Sequence, residues 1–192
     1  MKNSLTKFNR LVDALQELPT IGKKSATRLA YFMIMNDNYV GIKISHAIED
    51  AISTLKRCRI CGGMSEDELC AICSNENRDS SILCIVENAK DILLLEENSL
   101  FNGKYFVLEE LNENSIEALE KVTSNGIEEI LFALTPSVAN DALILYIEEK
   151  LSKYNICFSK IAQGVPTGVS LENIDLLSLT RALEDRVHIW QR

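Results

Sequence analysis

Apolar residues between Phe8 and Met35 recur at helical spacing: Phe8, Leu11, Val12 and Leu15, then Ile21, Leu29, Phe32 and Met33. Residues three and four apart share one helix face, so this run predicts two helices. The period breaks at LPTIG, where Pro19 and Gly22 predict a tight turn between them. A third helix is predicted from about Ile42 to Leu55. Beyond residue 80 the pattern changes. The short apolar runs SILCIVE, GKYFVLEEL, EEILFAL and ICFSKIA alternate with the amphipathic stretches NAKDILLLEE, NSIEALEKVTSN and SVANDALILYIEEKLSK. Strands alternating with helices predict an α/β fold with a mostly parallel sheet covered on both faces. Leu176 to Leu183 predicts a last short amphipathic helix. There is no internal repeat and no low-complexity tract.

Composition narrows the class. The 192 residues are 46% hydrophobic and 25% charged, which excludes wholesale disorder and a disulfide-dense miniprotein. Three Pro and eight Gly leave little for long linkers, so any modules must be joined tightly. No apolar run approaches the ~20 residues of a membrane span. The start MKNSLTKFNRLVDAL lacks a signal-peptide h-region, and a cytoplasmic location is expected. Charge is uneven: residues 1–60 carry ten Lys and Arg against five Asp and Glu, whereas residues 61–192 carry ten against twenty-three. Exposed charges are screened beyond ~8 Å, so each half is judged by its own surface. An anionic partner is expected at the N-terminal part, although a solvated face has the same signature.

Six cysteines in a chain expected in the cytoplasm are not expected to form disulfides. Four of them, Cys58, Cys61, Cys70 and Cys73, follow the spacing C-x2-C-x8-C-x2-C. Two such pairs can close a tetrahedron of thiolates, a soft and closed donor set that suits one structural Zn²⁺. Gly62 and Gly63 supply backbone freedom after the second ligand. Cys84 and Cys157 lie in apolar runs and are expected in the core.

Two further constellations bear on function. In LPTIGKKSATRLA a helix begins just after a Pro/Gly turn, where free backbone N–H groups favour a phosphate. Lys23 and Lys24 sit at that end, and Arg28 lies on the face of Lys24 one turn on. Such contacts grip a nucleic-acid backbone without reading sequence. The pattern alone equally suits an ordinary helical hairpin with solvated lysines. The second constellation is Glu87, predicted at the carboxyl end of a parallel strand, where α/β sheets bind ligands. Its expected neighbours are Thr135 and Ser137, with Asp141 inside the following helix. One Glu and two hydroxyls make a poor Mg²⁺ site, which disfavours metal-dependent chemistry. The segment GVPTGVSLE, with Gly164, Pro166 and Gly168, predicts a loop with a structural or subunit-contact role; it lacks the Lys of a phosphate-binding loop. Trp190 is equally suited to its own core or to a neighbouring subunit.

Taken in order, LPTIGKKSATRLA, the four-cysteine knuckle, ILCIVENAKDILLLE, ILFALTPSVANDA and IAQGVPTGVSLENIDLLSLTRAL resemble the bacterial RecR family of recombination mediators over nearly the whole chain. The resemblance implies a helix–hairpin–helix region at 1–55, a four-cysteine zinc finger at 56–78, a Toprim-like domain at 79–163 and a C-terminal segment at 164–192. It implies that Lys23, Lys24 and Arg28 contact DNA, that Cys58, Cys61, Cys70 and Cys73 hold zinc, and that Glu87 is the Toprim glutamate. It implies a non-catalytic mediator, an oligomeric clamp acting at gapped or junction DNA with RecO- and RecF-type partners to promote RecA loading, at the bacterial nucleoid. Several residues depart from the family pattern. Thr20 stands where the hairpin usually has Gly, and Thr135-Pro136-Ser137 replaces an Asp-x-Asp pair. Ala139-Asn140-Asp141 replaces Glu-Gly-Glu, and the loop after the second Toprim strand is short. The lost Asp-x-Asp pair points to a binding platform, with Glu87 and Asp141 as candidate partner contacts. Two rival readings are a Toprim metal-dependent nuclease or strand-passing enzyme using Glu87 and Asp141, and a purely protein-binding adaptor.

Overall fold

The computed structural model describes residues 5–97, 101–162, 165 and 168–184. Gly164, Pro166 and Trp190 lie outside the described residues. The chain forms two compact units, one running up to Leu55 and the other from Lys56 onward.

In the first unit, α1 (Thr6–Gln16) and α2 (Lys23–Tyr31) pack through Val12, Ala26 and Ala30. Both alanines are fully buried, so small side chains let the helices approach closely. Phe8, Leu11, Leu15 and Ile21 close the rest of this small core. Thr20 in the connecting turn has φ +68°, the only non-glycine with positive φ among the described residues. The expected distortion is therefore a β-branched residue held in the left-handed region, where Gly fits without cost.

After α2 a single π-helical turn, Phe32–Asn36, leads into α3 (Asn38–Thr54). The helix begins one turn before the predicted Ile42 because the Asp37 carboxylate caps it, accepting from the Val40 N–H at 3.1 Å. Gly41 lies inside this helix because a Cβ there would stand 3.1 Å from the Met33 carbonyl oxygen. No side chain of α3 is buried.

The second unit opens with an antiparallel pair, β1 (Lys56–Arg57) and β2 (Met64–Ser65), followed by the one-turn helix α4 (Ala71–Ser74). Then come β3 (Ile82–Val86), α5 (Ala89–Glu97), β4 (Lys104–Val107), α6 (Glu113–Thr123), β5 (Glu129–Ala133), α7 (Val138–Leu151) and β6 (Cys157–Lys160). A 3-10 turn at Leu171–Asn173 precedes α8 (Leu176–Glu184). The four long strands form one parallel sheet in the order β4-β3-β5-β6. The predicted strands GKYFVLEEL and ICFSKIA shorten to four paired residues each, because both lie at sheet edges with a neighbour on one side only.

Alternation along the strands splits the core in two. Leu83, Ile85, Phe106, Ile130 and Phe132 meet Leu119 of α6 and Ile147 and Leu151 of α7 on one face. Cys84, Val86 and Tyr105 meet Ile92 and Leu95 of α5, with Ile72 of the knuckle, on the other. Both faces are thus covered, and the central strand β3 is the most deeply buried.

Cys84 is a core residue, and burial pushes its thiol up to about 12. The expectation for Cys157 is corrected: it is exposed, because it opens the edge strand β6.

The knuckle is bonded to the sheet. Val107 N–H donates to the Cys61 carbonyl at 2.8 Å, continuing the ladder beyond β4. Arg78 donates to Glu96 of α5 at 2.5 Å and to the carbonyls of Gly103 and Phe101, while Tyr105 Oη donates to the same Glu96 at 2.8 Å. No helix among the described residues is long and apolar enough to cross a membrane.

Candidate nucleic-acid interface, metal centre and carboxylate site

Gly22 holds the N-cap of α2 in extended backbone and offers no side chain to the helix end. The first N–H groups, those of Lys23, Lys24 and Ser25, therefore lack an intrahelical partner and point outward. Lys23, Lys24 and Arg28 are all exposed; Lys24 and Arg28 lie on the side of α2 away from buried Ala26 and Ala30, while Lys23 stands at the first position of the helix. Among the described residues none of the three is ion-paired. The positive end of the helix dipole, its free N–H groups, Lys23 and Lys24 share one exposed helix end, and Arg28 continues the exposed face of Lys24 into the last turn, an arrangement that can accept phosphates.

The sulfurs of Cys58, Cys61, Cys70 and Cys73 lie within 4.8 Å of one another, and the first three side chains are almost wholly buried. The Cys61 and Cys70 sulfurs are 3.6 Å apart. Four sulfurs bound at ~2.3 Å to a central zinc stand ~3.8 Å from each other, so the donor set fits one such ion with small adjustments. Backbone N–H groups point at the sulfurs: Gly63 donates to Cys61, Cys70 to Cys58 and Cys73 to Cys70, at 3.3 to 3.4 Å.

Gly62 has φ +73°, and a Cβ on it would come within 3.3 Å of the Val107 side chain. Gly63 is required for room, since its Cβ would meet Ile92 at 3.0 Å and the Cys61 sulfur at 3.2 Å. The Cys73 thiol beside it lowers the Cys61 thiol, against the effect of burial. The same contact chiefly pushes Cys73 up, and burial pushes Cys70 up. Each thiolate opposes the next, and a central divalent cation removes that conflict.

Glu87 follows β3 at its carboxyl end, where its partly exposed carboxylate is held by the end of β5 and the start of α7. Thr135 Oγ1 donates to it at 2.7 Å, Thr135 N–H at 3.2 Å, and the Asn140 side-chain amide at 2.5 Å. The Thr135 hydroxyl above all, with Asn140, lowers the Glu87 carboxyl below its usual range. Thr135 is the expected neighbour; Ser137 is not, because it caps α7 by accepting from the Asn140 N–H. Asn140 was not among the sequence candidates, and the only signal for it was its place in the first turn after that cap.

Asp141 faces another residue, Arg181 of α8, at 3.3 Å. Among the described residues the four cysteines are the only group of three or more such side chains placed to hold a metal, so Glu87 and Asp141 assemble no carboxylate cluster. The space bordered by Thr135, Asn140, Asp141 and Lys160 is about 10 Å³, room for a water.

Residues 8–52 match the family model for the RecR helix-hairpin-helix, and residues 55–75 match the model for the RecR four-cysteine zinc finger domain. The chain is 55% identical over 190 residues to a "Recombination protein RecR" of a Nitratiruptor species, covering 98% of this chain and all of that one. It is 53% identical, with the same coverage, to the protein of that name from Campylobacter jejuni subsp. doylei. To the protein of that name from Helicobacter pylori it is 49% identical over 187 residues, 97% of each chain.

Proposed function

Since the chain belongs to the RecR family of recombination proteins, we propose that it works as a non-catalytic mediator that holds gapped or single/double-strand junction DNA. It is a recombination and repair protein with a helix–hairpin–helix region and a four-cysteine zinc finger of structural type. On the proposed reading, Lys23, Lys24 and Arg28 with the free N–H groups of α2 grip phosphates, and the four cysteines are the zinc ligands. The domain limits 1–55, 56–78, 79–163 and 164–192 belong to the same proposal. So do RecO- and RecF-type partners, promotion of RecA loading, and a place at the nucleoid.

The observation that carries the reading is the exposed Lys23, Lys24 and Arg28 of α2, none ion-paired among the described residues, in an otherwise acidic chain. Its affinity comes from phosphate contacts and falls with salt. A zinc ion at the knuckle would offset half of the charge of the four thiolates and fix the chain next to β4; four protein ligands leave it no open position for catalysis. The Glu87 site supports binding over cleavage, since its carboxylate already accepts three hydrogen bonds from Thr135 and Asn140 and, among the described residues, belongs to no group of three or more metal-ligating side chains. Glu87 and Asp141 remain candidate contacts for a protein partner.

A homo-oligomer, dimer or tetrameric ring, is part of the proposal. Its support is α3, which buries nothing while Tyr39, Ile42, Ile48 and Ile52 are each more than half exposed. The test mixes purified protein with labelled gapped duplex and Mg²⁺, following mobility and strand length over a salt series. Binding that weakens with salt and leaves strands intact is expected; cleavage abolished by Glu87→Ala overturns the reading.

A further inference from the structure

The second unit has a cavity of about 650 Å³ at the end of the sheet opposite Glu87. The knuckle contributes Arg59 and Ile60, β4 contributes Lys104, α6 contributes Lys121 and Val122, and Ile127 precedes β5. Lys104 opens its strand and Ile127 stands before the next, so the cavity lies at the amino ends of the strands. Glu87 and Thr135 follow their strands at the carboxyl ends. A five-residue strand separates the two places by ~16 Å. Ligands of open α/β sheets gather at the carboxyl ends, so this is a separate site.

Its charge is opposite to that of its surroundings. From Lys56 onward the chain carries thirteen Lys and Arg against twenty-three Asp and Glu, yet no lining residue is Asp or Glu and three are cationic; Cys73 of the knuckle, whose sulfur belongs to the metal centre, also lines the cavity. The Lys104 ammonium is fixed by the carbonyls of Ile72, Cys73 and Asn75, so its charge is held in place by dipoles and, among the described residues, it is not ion-paired. Lys121 is exposed and, among the described residues, not ion-paired. The contact of Arg59 with Glu68 is 3.9 Å long and exposed on both sides, a pair that yields readily to a better anion.

The apolar wall of Ile60, Val122 and Ile127 offers contact area that a bare phosphate or sulfate does not use. The one aromatic in the lining, Tyr105, is only 1% exposed and its hydroxyl is taken by Glu96, so no ring face is available to stack a base. Ser80 and Asn125 add neutral polar groups that suit a peptide backbone.

We propose that this cavity is a docking site for an acidic peptide segment of a partner protein, one that carries an apolar side chain next to its carboxylates. The apolar side chain enters between Ile60, Val122 and Ile127, and the carboxylates lie over Arg59 and Lys121 in the field of Lys104. The site is independent of DNA binding by α2.

The test uses the full chain with its zinc, isotopically labelled, and a pool of acetylated pentapeptides. These have Asp or Glu at the first three positions and Leu, Ile, Val, Met or Phe at the last two. Amide shifts confined to Ile60, Lys104, Lys121, Ile127 and their neighbours are expected. Arg59→Glu with Lys121→Glu is expected to weaken binding at least about tenfold, through loss and reversal of two charge contacts. Ile60→Ser, at a side chain 41% exposed, is expected to weaken it severalfold without unfolding the chain. Zinc content and affinity for gapped DNA stay unchanged in all variants. No shift with any pool member, or equal shifts with a pool carrying Lys or Arg at the first three positions, overturns the proposal. So does a five-residue thymidine oligonucleotide that moves the same amides more strongly, which assigns the site to nucleic acid.

Discussion

The Thr135 hydroxyl donates to the Glu87 carboxylate at 2.7 Å, joining the carboxyl ends of two neighbouring strands across 48 residues of chain. The parallel register pairs Val86 with Ala133, so Glu87, one residue beyond, and Thr135, two residues beyond, leave the two strands close together. The bond stabilises the charged form of Glu87, as do the Thr135 N–H and the Asn140 amide.

A carboxyl lowered in this way contributes stability above its unfolded pKa and loses it as pH falls through the folded one. Carbon-detected titration of Glu87 is expected to give a midpoint below the ordinary ~4.3 of a free Glu. Thr135→Val is expected to raise it and to reduce the loss of stability on acidification. An unchanged midpoint in Thr135→Val contradicts the assignment.

Thr20 at φ +68° predicts a stabilising substitution. A non-glycine residue in the left-handed region costs about 1–2 kcal/mol, partly offset by the greater freedom of an unfolded Gly. Thr20→Gly is therefore expected to stabilise the first unit by about 0.5–1 kcal/mol in urea denaturation. A lower midpoint shows that the turn uses the threonine side chain.

Arg78 ties the chain after the knuckle to α5 and β4 through Glu96, Gly103 and Phe101. Its side chain is 11% exposed, so removal leaves Glu96 and two carbonyls poorly solvated. Arg78→Met is expected to destabilise the second unit by about 2–4 kcal/mol while helical signals of the first unit persist. A change within experimental error makes this network a surface ornament.

The cysteines should differ sharply in reactivity. With zinc in place, a thiol reagent at pH 8 is expected to modify exposed Cys157 rapidly and to spare buried Cys84, whose thiol is raised to about 12. Chelation is expected to release four further thiols and one zinc per chain, and to lower the melting temperature of the second unit. A melting temperature unmoved by chelation removes the structural role of the metal.

The βα alternation, both helices of the hairpin and the four-cysteine spacing were legible because each is a local pattern in sequence. Asn140 at Glu87 was not: a bond over 53 residues depends on strand order, which periodicity does not encode. Cys157 misled for the same reason, since an apolar run reads alike in a central strand and at an edge. The early start of α3 turned on a single capping carboxylate, Asp37, outside the apolar pattern. The cavity at the amino end of the sheet draws on residues from 59 to 127 and leaves no mark in any one segment.

The central claim is that α2 grips DNA phosphates. Lys24→Glu combined with Arg28→Glu places two acidic groups on one exposed face of that helix without touching buried Ala26 or Ala30. The most direct measurement is the affinity of this double variant for gapped duplex over a salt series, with zinc content and circular dichroism as controls for folding. The account predicts that binding is lost, or that the dependence of log K on log salt falls by about 2 as two phosphate contacts disappear. A folded double variant that binds as the parent does, with the same salt dependence, contradicts it.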